Sequence, residues 1–222
     1  MMRLTAKQIL SRHDKALTKK EDFRSLYDEA YEFALPQRNL YDGYYDGGVG
    51  GQNKMNRVFD STAINSTQRF ANRMQSGIFP PQRNWCRLEP GSDIPLDRKQ
   101  EAQRALDMYT ETFFDTLKQS NFDIAIGEFL LDLSVGTAVM MVQPGDDVNP
   151  INFIPVPQYL VAFEEGADGK VDNVYRRIRI KGEAIQRQWP EATIPEKIQI
   201  QIDNKPTEDV ELIEATVYDD KR

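Results

Sequence analysis

Over residues 5–135 the apolar positions recur at intervals of three and four, as on helix faces, and from Gly136 they fall into short runs and alternations, as in strands. Ile9, Leu10, Ala16 and Leu17 share one side of a first segment. After the charged residues 18–22, Phe23, Leu26, Tyr27, Ala30, Phe33 and Ala34 resume the pattern. This predicts two amphipathic helices, or one with a break, ending at Leu35-Pro36 because proline disfavours helical geometry in the residue before it. The best-bounded segment is 59–81. Asp60 or Ser61 can cap its first turn, Gly77 stands where a left-handed residue would close it, and Pro80-Pro81 forbids continuation. Ala63, Ile64, Thr67, Phe70, Ala71 and Met74 form its apolar side. Asn65, Gln68, Arg69, Asn72, Arg73 and Gln75 take the remaining faces, with no acid between Ser61 and Gly77. Such an amide-rich, basic face suits a solvated surface and an interface equally well.

Residues 37–57 alternate glycine and tyrosine without a periodic apolar pattern and read as a long loop, either mobile or ordered by a partner. Beyond the double proline, residues 85–88 read as a short strand with Trp85 as a core anchor. A helix capped at Asp97 follows, with Ala102, Ala105, Leu106, Tyr109, Phe113, Phe114 and Leu117 at helical spacing. Asn121 caps another, apolar on nearly every side through Phe122, Ile124, Ala125, Ile126, Phe129, Leu130, Leu133 and Val135, which predicts burial around most of its circumference. Residues 137–142, 151–156, 159–163 and 171–180 are predicted strands of an antiparallel meander. A short helix runs from Gly182 to the stop at Pro190, and residues 209–218 alternate as a last strand. The predicted class is α+β, with a helical part over 1–135 and a β-rich part over 136–222. That last strand has nothing to cover its edge, so the chain is expected to be the front part of something longer.

Composition narrows the chemistry. The 222 residues include one cysteine, Cys86, and one histidine, His13. An internal disulfide, a cysteine metal cluster and histidine-based zinc or iron sites are thereby excluded. Cys86 reads as a small buried hydrophobe and His13, between Arg12 and Asp14, as a surface residue. No apolar run approaches a bilayer span and the N-terminus lacks a secretion signal, so no membrane partner is expected. Asp146-Asp147, Glu164-Glu165 and Asp168-Gly169 lack the alternating spacing of a calcium loop and fall where hairpin turns belong. Ser134-Val135-Gly136 is not a nucleophile elbow. The glycine-rich loop lacks the Gly-Lys-Ser/Thr ending of a phosphate-binding loop. Catalytic, metal and cofactor-binding residues are therefore each expected to be none. The net charge of −7 argues against a protein that coats nucleic acid, because that mode depends on Lys and Arg neutralising phosphates.

The stretch from Tyr27 to Asn39, the Val58-Phe59-Asp60-Ser61-Thr62-Ala63 entry with Phe70-Ala71 and Gly77-Ile78-Phe79-Pro80-Pro81, and the passage from Ser120-Asn121-Phe122 to Gly136-Thr137-Ala138 resemble the portal, or head-to-tail connector, proteins of short-tailed bacteriophages. Val156-Pro157 and Gly169-Lys170-Val171 through Arg176-Arg177 are similar as well. The resemblance implies a non-enzymatic ring, a dodecamer in the family, at one capsid vertex of the virion and assembled in the host bacterial cytoplasm. The terminase motor would drive double-stranded DNA through it without tight binding. Major capsid or scaffolding protein and tail adaptors would be its further partners. The chain resembles the N-terminal part of the wing region and stops before anything resembling stem, clip or crown.

Arg38, Arg69, Arg73, Arg83 and Arg87 are the candidate subunit or DNA contacts. Two alternatives stay open: an enzyme acting on phosphate-bearing substrates through the glycine-rich loop with Arg38, Lys54 and Arg57, and a small adaptor that binds other virion proteins.

Overall fold

The computed structural model describes residues 4–36, 58–81 and 83–218. In chain order the helices are α1 (Ala6–Glu21), α2 (Arg24–Ala34), α3 (Thr62–Ile78), α4 (Lys99–Gln119) and α5 (Phe122–Val135). Strands β1 (Val139–Pro144), β2 (Ile151–Val156), β3 (Val161–Glu165) and β4 (Val171–Lys181) follow, then α6 (Gly182–Gln188), α7 (Glu196–Asn204) and β5 (Asp209–Val217). The class is α+β, as the change of period predicts. Residues 24–158 form one compact unit; those up to 23 and from 159 onward form the other.

In the 24–158 unit, α5 is the central element. Ile126 and Leu130 pack against Ala71 of α3, while Ala125 packs with Phe114 and Leu117 of α4 and Phe153 of β2. Trp85 is the anchor its sequence position predicts. Its ring lies 5.0 Å from Phe79 and 5.4 Å from Phe114, both edge to face, and stacks on Phe122 at 6.1 Å. Offset and edge-on contacts of this kind add to plain area burial because ring edges are positive and faces negative. β1 and β2 pair antiparallel from Val139 opposite Val156 to Pro144 opposite Ile151.

The other unit is a sheet of order β3-β4-β5, antiparallel throughout. Ala16 of α1 packs with Ala162 and Tyr175, joined by Ile9, Ile213 and Ala215. A second cluster joins Ile185 of α6, Ile202 of α7 and Val210 of β5. A side chain at Gly182 would bring its Cβ to 2.9 Å from an Ile202 methylene, so the start of α6 needs a glycine. The predicted meander is thus divided between a hairpin in one unit and three strands in the other.

Several expectations fail for local reasons. Gly77 lies inside α3, which runs on to Ile78, and among the described residues only Gly169 has a left-handed φ, +75°. Pro80 alone stops the helix. Asp60, not Ser61, serves its start, accepting from the Thr62 backbone N–H at 2.9 Å and from its hydroxyl at 2.8 Å. Asp97 caps nothing: α4 begins after Arg98 with no side-chain cap. Asn121 stands at the N-cap of α5 but spends its amide elsewhere, donating to the Phe153 carbonyl at 2.7 Å and accepting from the Phe153 N–H at 2.9 Å. α5 is buried or half-buried round most of its circumference, as its sequence predicts, although Ile124 is 73% exposed and Leu133 is exposed as well.

Residues 85–88 form no strand; they run extended along α4 and bond to it through side chains. Cys86 is exposed, because on that extended run Trp85 takes the inward position. His13 is buried, its ring edge-on to Tyr175 at 6.1 Å, since α1 turns that face toward the sheet. α7 lacks a sequence forecast: in a stretch rich in Gln, Glu and Lys, only Ile198 and Ile202 mark its buried side.

Candidate functional site

The basic face of α3 is set by where the helix buries. Thr67 and Ala71 are buried and Ile64 and Met74 half-buried, so the opposite side points outward. At 100° per residue, Arg69 and Arg73 fall at the centre of that outward side, one turn apart, bordered by Thr62, Asn65, Ser66 and Ser76. Both arginines are exposed, and among the described residues neither has an acidic partner. The amides around them bond within the helix: Asn65 donates to the Ser61 hydroxyl at 3.2 Å and Gln68 to Asn72 at 3.2 Å. Two like charges at i and i+4 cost an isolated helix about 0.2–0.5 kcal/mol, so their adjacency contributes nothing to the fold.

The other candidates are placed differently. Arg83 is exposed just beyond the double proline. Arg87 is engaged within its own unit: its Nε donates to Asp107 Oδ1 at 2.9 Å and its Nη2 to Oδ2 at 3.1 Å. Gln103 completes the clasp, donating to Asp107 at 2.7 Å and to the Leu88 carbonyl at 3.2 Å. The bonds from Gln103 and Arg87 hold the Asp107 carboxyl below its ordinary pKa. The Leu88 N–H donates to Thr110 at 3.2 Å and Asn84 to Glu111 at 3.0 Å, so residues 84–88 are strapped along α4 and Arg87 serves that strap. Arg38 lies outside the described residues, as do the glycine-rich loop, Lys54 and Arg57.

The sequence pattern misassigned the counterpart surface. It put Ala105, Tyr109 and Phe113 of α4 in one stripe with the buried Phe114 and Leu117. The structure separates them: Leu106, Thr110, Phe114 and Leu117 face the core, whereas Ala105, Met108, Tyr109 and Thr112 face outward with Glu101, Glu111 and Asp115. Met108 is 71% and Tyr109 62% exposed. The signal was available as two apolar stripes about half a turn apart where one face of a helix suffices for a core.

Elsewhere, polar side chains are tied down structurally. Tyr175, fully buried, donates its hydroxyl to Glu164 at 2.7 Å, Asn173 donates to the same oxygen at 2.9 Å, and Arg12 lies 3.7 Å away. Burial pushes the Glu164 carboxyl up, but the bonds from Tyr175 and Asn173 and the charges of Arg12 and Lys15 outweigh it and leave it below its ordinary value. Burial and that bond push the Tyr175 phenol up to about 12. Lys20 donates to the Tyr159 carbonyl at 2.7 Å, and its burial lowers its pKa to about 8.

A groove of about 530 Å³ runs past Asn121, Asp146, Asn149 and Asn152, a lining of amides whose one carboxylate, Asp146, accepts from the backbone of Val148 and Asn149 in its own turn. Among the described residues no cluster of three or more His, Cys, Asp or Glu side chains could hold a metal ion, and no helix is long and apolar enough to cross a membrane. What the surface offers chemically is charge and shape: a cationic helix face without acids, and an apolar helix face bordered by charges of both signs, Glu111 and Asp115 beside Arg104 and Lys118. Comparison with curated proteins gives no match. Residues 6–222 match the family model of the bacteriophage head to tail connecting protein, so the chain belongs to that family and with it to the structural virion proteins that join phage head to tail.

Proposed function

We propose that the chain is a subunit of a portal ring at a capsid vertex, the passage for DNA during packaging and ejection and the junction to which the tail attaches. The observation that carries this reading is the family match along nearly the whole chain. Residues 1–135 would supply the helical part and residues 136–222 the β-rich part of a wing-like region. The ring would act without catalysis or cofactor. Its partners would be further copies of itself, capsid or scaffolding protein, terminase and tail adaptors.

The charge balance supports passage rather than capture. The net charge of −7 repels a polyanion overall, and Arg87 is held by Asp107 rather than offered to a duplex. Each phosphate neutralised by Lys or Arg releases counterions and adds affinity, so a wall with few such contacts lets DNA slide. Titration of fluorescent duplex DNA at physiological salt should give a dissociation constant weaker than about 10 µM. Submicromolar binding would overturn the passage reading. Particle imaging at high protein concentration tests the ring itself, with closed rings expected.

A further inference from the structure

Two outward helix faces of the 24–158 unit are unmatched by anything among the described residues, and they complement each other. α3 presents Arg69 and Arg73 on a face without acid. α4 presents Met108 and Tyr109, with Glu101, Ala105 and Thr112 between them and Glu111 and Asp115 along one border, where the exposed Arg104 and Lys118 also stand. The acids stay available: Glu111 accepts one bond from Asn84, and Asp115 lies 3.4 Å from Lys118, an exposed pair worth little. The helices have 17 and 21 residues, hence lengths of about 25 and 31 Å, enough for several turns of side-by-side contact. They pack on different sides of α5, since Ala71 meets Ile126 and Leu130 while Phe114 and Leu117 meet Ala125, so their outward faces look in different directions.

The geometry points to a head-to-tail contact in which the α3 face of one copy docks on the α4 face of the next, Arg69 and Arg73 meeting Glu111 and Asp115 while Met108 and Tyr109 are covered. This rests on the ring reading and specifies which surfaces make the ring. A contact between two different surfaces leaves one of each free at the ends, so it propagates and closes only as a ring; a self-complementary contact would stop at a dimer. A second copy fits better than DNA. A duplex would satisfy the two arginines and leave Met108 and Tyr109 in water, whereas a second copy of this acidic chain covers both faces at once. Charge matching across such an edge sets register and partner choice, while the apolar stripe supplies the area removed from water.

The test is a charge swap in the full chain, read as oligomer mass by light scattering across a concentration series. Arg69→Glu with Arg73→Glu, and separately Glu111→Lys with Asp115→Lys, should each weaken association by about tenfold or more, and all four together should restore most of it. The substituted side chains are exposed, so circular dichroism should remain that of the parent. Cross-linking gives a readout that does not depend on affinity. In a Cys86→Ser background, Arg73→Cys chains mixed with Asp115→Cys chains should link through a short bis-maleimide, whereas either alone should not.

Parent chains that form rings while both reversals leave the mass unchanged and the mixture stays unlinked would overturn this contact and leave the ring reading standing. A parent that remains monomeric at high concentration would overturn both. An assembly that stops at dimers overturns the head-to-tail geometry. DNA binding abolished by Arg69→Glu with Arg73→Glu, with association unaffected, would assign the α3 face to nucleic acid instead.

Discussion

The two compact units stabilise themselves by different means. The 24–158 unit has a core of rings, with Trp85 between Phe79, Phe114 and Phe122, and Phe153 against Phe122 at 5.1 Å. Its outer faces carry unpaired charge on α3 and bare apolar side chains on α4. In the sheet unit, polar bonding reaches into the core. Tyr175 is buried yet bonded to Glu164, and the sheet bears Arg176 against Glu214 at 3.2 Å and, from the next strand position, Arg177 against Glu211 at 3.1 Å. The 24–158 unit rests chiefly on ring packing and, beside the Arg87–Asp107 clasp, leaves Arg69 and Arg73 without acidic partners among the described residues; the sheet unit pairs its strand arginines within itself. Surface available for assembly is therefore concentrated where stability depends least on charge.

The sharpest way to break this comparison is Trp85→Ala. Removing the ring leaves Phe79, Phe114 and Phe122 without their common neighbour, at a cost of about 3 kcal/mol. Hydrogen exchange should show lost protection in α3, α4 and α5 while β3, β4 and β5 keep theirs. Equal loss in both sets would mean that the two cores melt as one, and the comparison would collapse.

Tyr175→Phe should cost somewhat less, about 1.5–3 kcal/mol, the usual range for a bond to a charged acceptor. Its penalty should also depend on pH. The Glu164 carboxyl lies below its ordinary value of 4.5 in the folded state, so its stabilisation is complete above that value and disappears as pH falls through the folded one. The phenol is raised from 10.0 to about 12, so its contribution is complete below pH 10 and fades as pH rises toward 12. Denaturant titrations of parent and variant should converge at acid pH. A penalty that is the same at neutral and acid pH would show that ring packing, not the bond to Glu164, dominates at this position.

What the sequence made legible follows the range of the interaction. The period of three and four marks the helices because a helix face is written within a few residues, and Pro36, Pro80 and Pro190 mark ends by their own covalent geometry. Trp85 as anchor is likewise an intrinsic property of a large ring in an apolar neighbourhood. The misses need a distant partner. Asn121 has the composition of a helix cap, but its amide is taken by Phe153, 32 positions on. Arg87 reads as a free cation until Asp107, 20 positions away, is placed beside it. His13 looks exposed between two charged residues until α1 is laid on a sheet that begins nearly 150 residues later. The outward stripe of α4 fails differently: periodicity finds apolar side chains at helical spacing but does not say which of two stripes faces the core.

Gly77 offers the smallest and cleanest test of that distinction between local and distant causes. As a left-handed terminus, it would have to be glycine, and alanine there would strain the backbone. In the structure it is an interior residue of α3 without positive φ, and a Cβ there would meet nothing within 4 Å. Alanine then adds no clash and removes only the excess freedom of glycine in the unfolded chain. Gly77→Ala should therefore raise stability by about 0.5–1 kcal/mol, seen as a higher denaturant midpoint at unchanged slope. Because Gly77 lies beyond Arg73 along α3, the substitution should leave oligomer mass as it was. A lower midpoint would place the end of α3 at Gly77 after all, and would shorten the face on which Arg73 and Ser76 stand.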